Sequence, residues 1–117
     1  MTYDLAVWEG RRPLLNRTAA TTFLKLLAQL GEAAASTPAS PAIADFVAEV
    51  VSIWPDLGSP GDENSPWASG PLIGEASGSF IYVPLTPSAA DAAVPVLSRI
   101  AQKRRLVCYD PQAERLL

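Results

Sequence analysis

Leu5 and Val7 alternate with Ala6 and Trp8 in a short apolar run that Gly10 ends, so residues 3–9 read as a strand covered on both faces. The period changes after the Arg11-Arg12-Pro13 connection. Ala20, Phe23, Leu26, Leu27 and Leu30 recur at helical spacing behind Asn16, a good N-cap, and Gly31 supplies a stop. Residues 33–40 are small and contain proline, which predicts a linker closing on Ser40 as the cap of a second helix with Pro41 in its first position. The stripe of that helix is Ile43, Phe46, Val47, Val50, Ile53 and Trp54. Pro55 ends it, because a residue preceding proline is disfavoured in helical conformation.

From Pro55 to Gly78, glycines and prolines interrupt every period and predict a long, turn-rich excursion. Within it, residues 71–75 read as a short edge strand and Ala76-Ser77-Gly78 as a hairpin turn into Ser79–Val83, the strongest strand signal in the chain. Thr86 and Pro87 open a third helix whose inward side chains are Ala89, Ala93, Val96, Leu97 and Ile100. Pro95 falls inside it, where proline removes a backbone hydrogen bond and predicts a bend. Leu106–Tyr109 is a last strand, ended by Asp110-Pro111. The order β-α-α-β-β-α-β predicts an α+β fold, a ferredoxin-like split βαβ sandwich with an antiparallel four-stranded sheet and all helices on one face. The first strand and the Phe80 strand should lie side by side at its centre. The other face would then be covered by the excursion folding back, with Trp67 as its anchor in preference to a partner-facing role.

At 117 residues the chain has room for one domain, 1–117. Its single cysteine, Cys108, excludes an internal disulfide, and the lack of histidine removes the commonest zinc ligand and general base. Cys108 lies in an apolar strand and reads as core. Asp62-Glu63, in a solvated loop, is a poor acid–base pair, and Asp4, Glu9 and Asp110, which could converge, read as strand-end charges. Gly70, Gly74 and Gly78 are followed by no lysine and make no phosphate loop. No catalytic residue, metal site or cofactor is expected. The N-terminus has no basic leader or apolar segment of signal type, and no run is long enough to span a membrane, which predicts a cytoplasmic protein with no membrane partner.

Charge sharpens this picture. Residues 26–98 contain eight carboxylates and no lysine or arginine, whereas the flanks carry +2 and +3, giving −3 in all. An acidic middle repels nucleic acid and attracts a basic protein. Asp56, Asp62, Glu63 and Glu75, with Trp67, are the candidate partner-binding residues.

Four segments, Tyr3–Gly10 (YDLAVWEG), Trp54–Leu57 (WPDL), Ser65–Gly74 (SPWASGPLIG) and Cys108–Gln112 (CYDPQ), resemble the motifs of a family of small uncharacterised proteins frequent in actinobacteria, and the likeness spans nearly the whole chain. Members are similar to the immunity proteins encoded beside polymorphic toxins. The resemblance implies a non-catalytic protein that neutralises a cognate toxin by binding it. The sequence departs from the family pattern at Pro95 and at Lys103–Arg105. The alternative readings are a housekeeping interaction module or a homodimer joined through sheets or edge strands and, behind these, a small-molecule binder.

Overall fold

In the computed structural model, which describes residues 1–32 and 37–117, β1 (Tyr3–Trp8) runs through the middle of a five-stranded antiparallel sheet. β3 (Phe80–Leu85) flanks it on one side and β4 (Val107–Asp110) on the other. The short strands β2 (Ala76–Ser77) and β5 (Arg115–Leu116) form the edges, in the order β2-β3-β1-β4-β5. The fold is α+β, with the expected central pair of β1 and β3. Residues 33–36 of the expected linker lie outside the described residues.

Two features correct the ferredoxin-like expectation: there are five strands rather than four, and the helices occupy both faces. α2 (Pro41–Ile53) and α3 (Pro87–Lys103) bury Ile43, Phe46, Val47, Val50, Ala93, Leu97 and Ile100 against Leu5, Val7, Ile81, Val83 and Cys108. α1 (Asn16–Glu32) crosses the opposite face, where Ala19 and Phe23 pack on Ala6, Trp8, Phe80, Val107 and Tyr109. The register explains why both layers are needed. Trp8 pairs with Phe80 and Val107, and Ala6 with Tyr82 and Tyr109, so four aromatic rings share the face that Leu5 and Val7 do not. A sheet apolar on both sides must be covered on both. Phe23 sits 5.4 Å from the Tyr109 ring and 5.8 Å from Tyr82, so α1 does the covering that had been expected of the excursion.

The helix starts divide. Ser40 caps α2 as expected, accepting from the Ile43 N–H at 3.3 Å, with Pro41 in the first turn. Asn16 begins α1, but its Oδ1 accepts from the Leu116 N–H at 3.0 Å, tying α1 to β5. α3 runs as one helix through Pro95, whose ring is on the exposed side. Residues 71–75 form no edge strand: Leu72–Glu75 is a 3-10 turn, and the strand is Ala76–Ser77, with the tight turn at Gly78 (φ 56°). The Leu72 N–H is drawn to a side chain instead of a neighbouring strand.

On the β2–β3 side of the sheet, Ala39 bridges Gly78 and Trp67 bridges Leu85 at the end of β3. Among the described residues no helix is long and apolar enough to cross a membrane.

Candidate partner-binding surface

The excursion between α2 and β2 is held by one carboxylate and one indole. Asp56 Oδ1 accepts from the N–H groups of Leu57 at 3.1 Å and Leu72 at 3.0 Å, with Oδ2 also 3.1 Å from Leu72 N. This close passage favours glycine at position 70: a Cβ there would lie 3.0 Å from Asp56 Oδ1 and 3.2 Å from Leu57 Cβ, tight enough that a neighbour would have to give way. Trp67 is 1% exposed and belongs to the core shared with α2 and α3. Its Nε1 donates to the Trp54 carbonyl at 3.1 Å, and the two indoles meet edge-on with centroids 6.0 Å apart. Backbone bonds from Ala68 to Pro84 and from Thr86 to Pro66 then stitch the segment to the end of β3. Trp67 anchors the excursion, but on the helical face of α2 and α3 rather than over the face that carries Trp8.

The five candidate residues therefore separate by role. Trp67 and Asp56 build the loop, and the Trp67 ring offers no surface to a partner. Asp62 is half-buried, accepts from the Gly58 N–H at 2.8 Å and opens a 3-10 turn, Asp62–Asn64, with Glu63 exposed beside it. Glu75 accepts from Ser69 Oγ at 3.0 Å. Among the described residues, Asp62, Glu63 and Glu75 have no ion pair. Glu49 contrasts with them: Lys103 Nζ at 2.7 Å and Arg104 Nε at 2.8 Å neutralise it and hold its carboxyl below the usual glutamate range.

A second cluster joins the two ends of the sequence. Asp110, 4% exposed, accepts from the Tyr3 hydroxyl through Oδ2. Its Oδ1 accepts from Gln112 N at 3.0 Å, Gln112 Nε2 at 2.9 Å and Ala113 N at 3.1 Å. The Gln112 amide also pairs with the Asp4 backbone, donating to the carbonyl and accepting from the N–H, both at 2.7 Å. Of the three acids that were candidates for convergence, Asp110 and the Asp4 backbone meet, whereas Glu9 lies at the other end of β1. The partners that matter, Tyr3 and Gln112, were visible only as parts of the first and last motifs.

The hydrogen bond to Asp110 pushes the Tyr3 hydroxyl up to about 12, and burial raises the Cys108 thiol to about 12, so both stay protonated at neutral pH. Among the described residues no group of three acidic or cysteine side chains is placed to hold a metal ion. No family model matches the chain, and no curated protein or solved structure matches it.

Proposed function

We propose that this protein acts by binding rather than by turnover, as an immunity protein that neutralises a cognate bacterial toxin by covering a basic surface of it. The observation that carries the reading is the fixed excursion: Asp62, Glu63 and Glu75 sit, without ion pairs among the described residues, on a loop that Asp56 and Trp67 hold in place. Carboxylates on an ordered loop raise the encounter rate with a basic partner and lose little freedom on docking. The lack of histidine and the protonated, buried Cys108 support a non-catalytic role. A homodimer joined through edge strands has less support, because Ala39 and Trp67 already pair along the β2–β3 side and Asn16 takes the Leu116 N–H of β5.

The test is genetic and then kinetic. The reading requires a toxic domain encoded beside this chain, whose co-expression with it restores growth. Glu63→Lys combined with Glu75→Lys should weaken that protection and slow association. Protection unchanged by the double reversal would remove the acidic excursion from the account.

A further inference from the structure

The register that seats Trp8 beside Val107 brings the segment after β1 against the turn between α3 and β4. Gly10, Arg12, Gln102, Arg105, Leu106 and Val107 line a cavity of about 240 Å³ there. Among the described residues no aspartate or glutamate lines it. Leu106 and Val107 are buried and give it an apolar floor, while the two arginines and Gln102 are exposed.

The basic residues of this turn have different employment. Lys103 and Arg104 are both engaged by Glu49, whereas Arg105 has no ion pair among the described residues. Arg12 Nη1 donates to the main-chain oxygen of Leu117, the last residue of the sequence, at 2.6 Å, which fixes its guanidinium near the cavity and leaves its other N–H groups for a second oxygen ligand. Arg105 follows the end of α3 with φ 60°, and the Leu106 N–H returns to the Ala101 carbonyl at 2.8 Å. That left-handed position after a helix favours glycine, so an arginine there is held at a cost in backbone energy.

We infer that this cleft binds a small oxyanion, a phosphate or carboxylate group, between the guanidiniums of Arg12 and Arg105, with the Gln102 amide as a further donor. Guanidinium forks match paired oxygens of either group, and the apolar floor accommodates a short hydrocarbon body attached to it. The inference is independent of the proposed function: the cleft lies beyond β1 and β4, and the acidic excursion runs beside β3.

The test titrates the full chain with inorganic phosphate and, separately, with succinate at constant ionic strength, following amide shifts. Saturable shifts confined to residues 10–12 and 102–107 are expected, with affinity about tenfold weaker in Arg12→Gln and in Arg105→Gly. Arg105→Gly relieves the backbone, so its melting temperature should hold or rise, which separates lost binding from lost folding. Saturation by one anion alone assigns the group; saturation by both assigns the shared chemistry. Failure of both to saturate, or full affinity in Arg105→Gly, overturns the inference and leaves the acidic excursion untouched.

Discussion

Asp110 links the start of β1 to the turn that follows β4. A carboxylate this buried is tolerated because four hydrogen bonds reach its two oxygens. Asp110→Ala should cost roughly 1–3 kcal/mol in urea unfolding, since it removes these bonds while water can still reach the donors of the exposed Gln112 and Ala113. Tyr3→Phe should cost about 1 kcal/mol, because the hydroxyl is only partly buried. Tyr3 also sets a pH dependence. Its hydroxyl titrates at about 12 when folded against 10.0 ordinarily, so the protonated form favours the folded state. That contribution is complete below pH 10.0 and is lost as pH rises toward about 12. Tyr3→Phe should flatten this alkaline limb, measured as the urea midpoint against pH. The sequence displayed Tyr3 and Asp110 inside two motifs, but their pairing spans 107 positions and left no local signal.

At the scale of elements, capping and periodicity were readable wherever the deciding partner is local. Ser40 with Pro41 opens α2 as its sequence dictates, because the acceptor and donor are three residues apart. Asn16 carries the same signature and serves β5, since a strand a hundred positions away competes for its oxygen. Asn16→Ala should therefore speed amide exchange at Leu116 before it frays the first turn of α1. The layer of α1 was misplaced for a related reason: helical spacing says that a helix has an apolar side, not which sheet face receives it. Phe23→Ala should cost roughly 3–5 kcal/mol and leave the Tyr82 and Tyr109 rings uncovered. Trp67→Ala should cost a similar roughly 3–5 kcal/mol, and it should also free the excursion, seen as faster exchange at Ala68 and Leu72.

For the whole molecule, the charge zones of the sequence survive folding in altered form. Glu49 is paired and Asp56 is turned inward, so the acidic field of the excursion comes from Asp62, Glu63 and Glu75. The basic flanks meet on the other side, where the end of β1 faces the α3–β4 turn. This segregation was legible in the linear order of charges. The reduction from five candidate contacts to three was not, because burial of Trp67 and the duties of Asp56 depend on tertiary neighbours. A protein built this way should meet its partner through long-range attraction and retain it through short-range fit.

The most direct measurement of that claim is the association and dissociation of the protein with the toxin domain proposed as its partner, across a range of sodium chloride concentrations. The account requires an association rate that falls steeply with salt and a dissociation rate that stays nearly constant. An association rate indifferent to salt would contradict it.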